Sequence, residues 1–295
     1  MKDISVLALL FLATFAWGVG FPISKIGIHY IPPFTFALFR FFITSVMFII
    51  ILNKKDKNIL SDMKKYFIPL SMMGLSGITI YNFFYLYSLK FTLASNSVLI
   101  ASFNPIITTI IAAVFLKEKI NFFMGLGILI SLFGVLIIIS HGSLDVILNF
   151  SFNLGDIFML IATFLWAVYS VLGKKIISVI GYSKSVALST ILGTLYLIPL
   201  SLFFEDGVKN TFSYPFVAWA SVLYMAFVAT LFAFSVWYKG VERFGAAKTS
   251  IFVNLVPVFG VISSSFMLHE KVGLTTIAGG VLVIVGVIIT NKSRV

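Results

Sequence analysis

Arg40 is the one strongly basic residue well inside a long apolar segment, and its guanidinium could bind a carboxylate. The planar fork of N–H donors matches the two oxygens of a carboxylate group. At 1.5 Å per residue, Arg40 lies roughly 10 Å along its helix from the start. An ionised group at such a depth costs about 2.5–3.5 kcal/mol even on the lenient insertion scale. The structural alternative is a side chain that extends to the membrane interface or donates to helix-end carbonyls.

Aromatic and polar residues recur at helical spacing in several apolar segments and could line a cavity. Trp17 and Trp166 each lie on a stripe that also holds a threonine and ends at Lys25 or Lys174. Further candidates for an amphipathic or aromatic solute are Tyr81, Asn82, Tyr85, Trp237 and Tyr238. Because the chain has 33 Phe and 11 Tyr, many such stripes must simply pack in the core or face lipid.

Two further segments each carry an asparagine close to a proline. Asn104 precedes Pro105, with Ser97 on the same stripe, and Asn254 lies three residues before Pro257. An amide in hydrocarbon needs a partner, so the asparagines must face protein, water or substrate. We predict that Ser97, Asn104 and Asn254 line the cavity and that the prolines act as hinges. The alternative is a set of hydrogen bonds between helices.

The overall composition places these residues in a membrane protein. The 295 residues are 60% hydrophobic and only 11% charged, with a mean hydropathy of +1.10, whereas a soluble domain carries about 25% charge. This excludes a cytosolic enzyme and a disordered chain, and it makes the lipid bilayer, not nucleic acid, the partner despite the net charge of +11. With no cysteine, neither a disulfide scaffold nor a thiolate metal site is possible.

Ten segments are long and apolar enough to cross a bilayer as helices. The first is expected to be retained, not cleaved as a signal peptide. The predicted fold is therefore an all-α membrane protein with ten transmembrane helices. The segments are 4–24, 34–52, 66–88, 93–115, 121–140, 154–173, 185–204, 215–238, 246–267 and 272–290.

The positions of lysine and arginine predict the orientation. With the N-terminus in the cytoplasm, sixteen of the 21 basic residues fall on the inside, four fall outside, and Arg40 lies within a span. Basic residues are enriched in cytoplasmic loops. We therefore expect a multi-pass protein of the cell (inner or plasma) membrane with both termini in the cytoplasm.

The chain repeats itself. ATFAWGVGFPISK at 13–25 matches ATFLWAVYSVLGK at 162–174 with an offset of 149, and 94–135 matches 246–287 with an offset of 152. We expect a first five-helix repeat over 1–142 and a second over 152–292. An odd number of spans per repeat inverts the second half, as in many secondary transporters that work by alternating access. A duplication that merely built a stable bundle is the alternative.

These motifs together resemble the ten-span EamA-type branch of the drug/metabolite transporter superfamily. The resemblance rests on FALFRF at 36–41, FLKEK at 115–119, ERFGAAKTSIFVNLVPVFG at 242–260 and LHEK at 268–271. It implies a basket-like ten-helix carrier that exports or exchanges small metabolites, often amino acids. Two positions depart from the repeat pattern. Ser189 stands where a counterpart of Arg40 would lie, and Ala167 replaces Gly18.

Missing residues narrow the expected chemistry. No carboxylate lies near the centre of a span, which disfavours proton-driven export of cations. No catalytic motif, cofactor motif or metal-ligand set is present, so we expect no catalytic residues, no cofactor and no metal. The sequence favours a carrier for amino acids or similar zwitterions that works by alternating access. An intramembrane enzyme of lipid metabolism and a passive channel stay as alternatives.

Glycines and end-of-span carboxylates are expected to serve packing and capping. Small residues at helical spacing let helices approach closely, so we predict a seam between the halves or between two protomers. A monomer and a homodimer through these glycine-rich spans both remain possible. Glu118, Glu270 and Asp156 are expected at helix N-termini, where the helix dipole favours an anion. The seam glycines are Gly127, Gly134, Gly279 and Gly286.

Overall fold

The protein, seen in a computed structural model, is mainly helical over the described residues, which are 3–53, 59–92, 94–140, 142–149, 153–268 and 273–292. The first half contains α1 (Asp3–Tyr30), α2 (Pro33–Asn53), α3 (Ile59–Lys65), α4 (Phe67–Gly74), α5 (Ile80–Phe91), α6 (Ala94–Ala101), α7 (Asn104–Leu116), α8 (Phe122–Ser140) and α9 (Leu144–Leu148). The second half contains α10 (Leu154–Phe204), α11 (Phe216–Ala226), α12 (Ala233–Phe244), α13 (Ala246–Ser250), α14 (Leu255–Leu268) and α15 (Leu274–Lys292). These elements confirm the all-α class, and Glu270 lies outside the described residues.

Among the residues that the structure describes, six helical stretches are long and apolar enough to cross a membrane. They are 3–30, 33–52, 67–91, 99–116, 154–204 and 216–244, and shorter apolar helices cover 122–138, 246–260 and 277–290. Large apolar side chains such as Phe122, Phe203 and Phe216 are exposed on the outer surface. In water such a surface would aggregate, so it is suited to lipid.

α10 contains two of the predicted spans in one continuous stretch of 51 residues. A straight helix of that length would measure about 77 Å, more than twice the thickness of a bilayer core. Gly181 interrupts it with φ of 77°, a left-handed value that glycine adopts without strain. The chain therefore changes direction at Gly181 without the loop that the sequence suggested between 173 and 185.

Four irregular turns occur at related places in the two halves. α4 and α5 are joined by a π-helical turn at Leu75–Thr79, and α11 and α12 by another at Phe227–Phe232. The helix breaks between Ala101 and Asn104, and a 3₁₀ turn at Ile251–Asn254 separates α13 from α14. π-turns are often found at functional sites, and both kinds of irregularity surround the cavity described below.

The bundle has two ends, and we name the first the Lys174 end. Here Arg243 pairs with Asp3 at 2.7 Å and Lys184 pairs with Asp62 at 2.6 Å. α1 begins at this end, and α7 and α12 finish there.

The opposite end is named the Glu205 end. Glu205 accepts hydrogen bonds from the backbone N–H groups of Phe34 (3.0 Å) and Thr35 (2.8 Å), which caps the start of α2. Asp156 lies in a capping box at the start of α10 and accepts a bond from Thr92 at 2.7 Å. The expected placement of Asp156 at a helix N-terminus is thus confirmed.

The predicted glycine seam joins α8 to α15 within one chain. The two helices run antiparallel, with Gly127 against the backbone of Gly286 and Gly134 against the backbone of Gly279. A Cβ atom on Gly134 would lie 2.6 Å from the carbonyl oxygen of Gly279, so only hydrogen fits there. All four glycines are therefore engaged inside the protomer.

Candidate substrate cavity

A cavity lies at the centre of the bundle. Centres of water molecules can occupy about 70 Å³ of it, which is room for several waters or one small solute. Most of the lining is aromatic or aliphatic, with a few polar groups, as in typical ligand sites. The lining residues are Trp17, Gly20, Phe21, Arg40, Tyr81, Tyr85, Ala101, Asn104, Met159, Thr163, Trp166, Met225, Phe234, Val253 and Val256.

Arg40 supplies the positive charge of this cavity and is held by two hydrogen bonds. Its Nε donates to Thr230 Oγ1 at 2.6 Å and its Nη1 donates to Asn82 Oδ1 at 3.3 Å. The guanidinium carbon also lies 4.6 Å from the ring centre of Phe41. Within the described part of the chain, Nη2 forms no hydrogen bond and no carboxylate pairs with the guanidinium. A buried cation is thus oriented by neutral groups only, with donors left for a ligand.

Aromatic rings form the wall around the charge. Trp17 and Trp166 meet edge to face with ring centres 5.4 Å apart, and Tyr81 lies 5.3 Å from Trp166. Tyr81 and Tyr85 are stacked at 5.7 Å with an interplanar angle of 5°. The Trp17 indole N–H donates to the carbonyl of Ala229 at 2.9 Å, which fixes the ring. Such ring faces attract apolar groups and cations alike.

Asn104 supplies a second polar group to the lining. Its Nδ2 donates to the carbonyl of Thr163 at 3.1 Å, and its Oδ1 accepts from Thr108 at 3.1 Å. The amide therefore ties α7 to α10 and keeps one N–H for another acceptor. Six of the predicted substrate residues, Trp17, Arg40, Tyr81, Tyr85, Asn104 and Trp166, surround the cavity.

Three predicted polar residues lie away from the cavity lining. Asn82 is buried behind Arg40, where it serves as an acceptor for the guanidinium. Ser97 bonds to Ser88 at 2.8 Å, and Asn254 donates to Ser131 at 2.8 Å. Each of these side chains forms a hydrogen bond with a residue of a neighbouring helix, which is the alternative role that the sequence allowed.

The predicted aromatic pair Trp237 and Tyr238 also lies off the lining, packed towards the Lys174 end. Trp237 donates to Ser170 Oγ at 3.1 Å, and the Tyr238 hydroxyl donates to the carbonyl of Tyr169 at 2.9 Å. Both rings are fully buried. They tie α12 to α10 instead of facing the cavity.

The predicted hinge prolines lie in the first turns of helices that follow a break. Pro105 is at the start of α7 and Pro257 is the third residue of α14. A proline in the first turn of a helix removes no hydrogen bond, because N–H groups there have no partner within the helix. The irregular backbone therefore precedes each proline, and the hinge role stays a prediction.

Sequence reasoning missed Thr230, the closest partner of Arg40. Thr230 lies in the π-turn between α11 and α12, and its hydroxyl also donates to the carbonyl of Met225, five residues earlier. Neither its spacing nor its neighbours distinguish it from other threonines in apolar segments. A contact across 190 residues becomes visible only once the helices are packed.

Comparisons with known proteins agree with this architecture. The EamA-like transporter family matches residues 4–140 and again 153–292. An uncharacterized transporter of Bacillus subtilis, YyaM, is 30% identical over 288 residues, covering 98% of this chain and 94% of its own. A probable amino-acid metabolite efflux pump of Escherichia coli is 27% identical over 304 residues, and the match covers 98% of this chain and 94% of the relative.

One solved structure, titled only as the crystal structure of a protein, shares the fold. It superposes with a TM-score of 0.80, is 18% identical, and covers 98% of this chain and 96% of its own. The family match accounts for nearly all of the chain and occurs once in each half. The chain therefore belongs to the EamA-like transporter family.

Proposed function

We propose that the protein carries amino acids or similar small zwitterions across the cell membrane, and that Arg40 binds their carboxylate. The observation that carries this proposal is a guanidinium in a central cavity with free donors and no carboxylate partner among the described residues. An anionic group of the solute would supply the missing partner. The name of the Escherichia coli relative refers to amino-acid metabolites, which agrees with this solute class.

The opposite charge of a zwitterion is matched by the rings. None of the lining residues is Asp or Glu. An ammonium group would therefore rest against the faces of Trp17, Trp166 or Tyr81, each of which can contribute a cation–π interaction. A lone cation would meet repulsion from Arg40, and a lone anion would leave the rings without a charged partner.

We further propose ten spans in two inverted five-helix halves that alternate in access. Residues related by the repeat touch one another, which supports a two-fold relation. Trp17 contacts Trp166, and Ser45 bonds to Thr194 at 2.9 Å, both pairs with the offset of 149. The glycines of α8 and α15 are also related by the repeat, with the offset of 152. Gly127 contacts Gly286, and their counterparts Gly279 and Gly134 contact each other. Antiparallel contacts between equivalent helices are expected when one half is inverted.

A thermal-shift screen of the purified protein tests the solute class. Each amino acid is compared with the amine that lacks its carboxylate and with its neutral amide. Binding to the folded state raises the melting temperature with ligand concentration. We expect stabilisation by some amino acids and none by the matched amines. Equal stabilisation by an amino acid and its amine would refute carboxylate recognition.

Thr230→Val is expected to weaken transport of the bound solute about tenfold without unfolding the protein. Valine keeps the volume of threonine but leaves Arg40 Nε without its 2.6 Å acceptor, so the guanidinium loses its orientation. The matched control is Thr230→Ser, which retains the hydroxyl. Proteoliposome uptake measures both variants, and equal rates for valine and serine would remove Thr230 from the site.

A further inference from the structure

The cavity is asymmetric although the two halves repeat. Both members of three equivalent pairs line it, and these form its centre: Trp17 and Trp166, Ala101 and Val253, Asn104 and Val256. Phe234, whose counterpart Asn82 is buried, is an exception. In five other pairs, the member nearer the Glu205 end lines the cavity and its counterpart is buried in packed core. These pairs are Met159 and Leu10, Thr163 and Thr14, Gly20 and Tyr169, Phe21 and Ser170, and Tyr85 and Trp237.

A layer of side chains and specific bonds closes the Lys174 end between α10 and α12. Lys174 Nζ donates to the carbonyl oxygens of Val241 (2.9 Å) and Glu242 (2.8 Å) in the last turn of α12. Few backbone N–H groups are left for the carbonyls of a last turn, although that of Val241 also accepts from the N–H of Gly245 at 3.1 Å, and a cation suits the negative end of the helix dipole. Together with the bonds of Trp237 and Tyr238 to α10, this fastens the two helices.

Glu118 makes a second closure at the same end. Its two carboxylate oxygens accept from the backbone N–H groups of Ala246 (2.9 Å) and Ala247 (3.1 Å) at the start of α13. The sequence placed Glu118 at a helix N-terminus, and the structure shows that it caps a helix of the other half. Gly245 has a φ of 87°, and a side chain at this position would clash with the Glu118 carboxylate.

Lys25, the counterpart of Lys174 at the Glu205 end, makes no such closure among the described residues, and Glu270, the counterpart of Glu118, lies outside them. Lys25, which the repeat relates to Lys174, is exposed and forms no hydrogen bond within the described residues. Phe21 and Tyr85, the counterparts of Ser170 and Trp237, meet edge to face at 5.3 Å and leave the cavity beside them. The two ends therefore differ in specific side chains and not only in degree of packing.

We infer that Lys174 and Glu118 are positioning residues of the transport cycle, which together latch the Lys174 end shut while the cavity extends to the Glu205 end. The inference rests on the proposed carrier function. Opening the Lys174 end requires α12 to leave α10 and α13 to leave Glu118. Loss of the latch shifts the population towards the state open at the Lys174 end.

Thiol labelling tests the latch, because the chain has no cysteine of its own. Ser250→Cys places a reporter in the buried layer, one turn from the cavity residue Val253 towards the Lys174 end. Ala101→Cys places a second reporter on the cavity lining. A membrane-impermeant thiol reagent is added to sealed vesicles of either orientation, and sidedness is assigned with an N-terminal tag, since Asp3 lies at the Lys174 end.

The Lys174→Ala/Glu118→Gln double variant is expected to raise labelling of Ser250→Cys from the N-terminal side at least tenfold. Labelling of Ala101→Cys from the other side should fall, and this signal also reports that the variant is folded. Lys25→Ala is the matched control and should change neither rate. Unchanged labelling in the double variant, or the same rise with Lys25→Ala, would overturn the latch. No substrate is present, so the result does not depend on whether amino acids are the solute.

Discussion

Arg40→Ala is expected to lower the affinity for a carboxylate-bearing solute by on the order of 100-fold. The guanidinium is buried, is oriented by Thr230 and Asn82, and meets no carboxylate among the described residues. Its removal leaves the solute carboxylate in a cavity of rings and aliphatic side chains, where an unpaired charge is costly. Binding of a neutral amide or ester of the same solute should change little. Affinities from thermal shifts and uptake into proteoliposomes measure the difference.

Arg40→Lys is the matched control for charge without the planar fork. Lysine keeps the cation but cannot bond Thr230, Asn82 and a carboxylate in one plane. We expect an intermediate affinity for the carboxylate-bearing solute. A loss in Arg40→Ala that is equal for the carboxylate and for its neutral analogue would reduce Arg40 to a structural role.

Gly134→Ala is expected to lower the melting temperature of the purified protein by roughly 5 °C or more. The new Cβ would lie 2.6 Å from the carbonyl oxygen of Gly279 and 2.8 Å from the N atom of Val283. Both are backbone atoms, so α8 and α15 must move apart and lose contact along the seam. Overpacking of this kind costs about 1–3 kcal/mol, and each kcal/mol shifts the midpoint by about 2–4 °C in a chain of comparable size.

Gly125→Ala on the same helix is the control for this prediction. No atom lies within 4 Å of a Cβ built there, so the methyl group enters open space. Alanine is a better helix former than glycine, and the melting temperature should be unchanged or slightly higher. Equal melting temperatures for the two variants would contradict the tight α8–α15 seam.

Most of the helical architecture was predictable from apolar length alone. Nine of the predicted segments begin within two residues of the start of a helix. The agreement is expected because an apolar stretch of that length in lipid must form its backbone hydrogen bonds within itself. The exception is 185–204, which is continuous with 154–173 through Gly181. A single glycine with a left-handed backbone gives no apolarity signal, so the sequence suggested a connector there.

The site was predictable to the extent that it obeys the repeat. Trp17 and Trp166 line the cavity together because they lie at its centre, where the halves are equivalent. Trp237 does not, although its counterpart Tyr85 does, because the two ends adopt different conformations. A repeat in sequence treats the two halves alike, whereas the folded structure packs its two ends differently. Asn254 is a different case, because the repeat relates Asn104 to Val256, which does line the cavity.

Counterflow in proteoliposomes tests whether the cavity opens to one side of the membrane at a time. Vesicles holding the purified protein are loaded with unlabelled amino acid, and uptake of the labelled amino acid is followed over a range of concentrations. We expect uptake that saturates and that is faster in loaded than in empty vesicles. Uptake that rises linearly with concentration and does not depend on the internal amino acid would identify a passive channel and rule out alternating access.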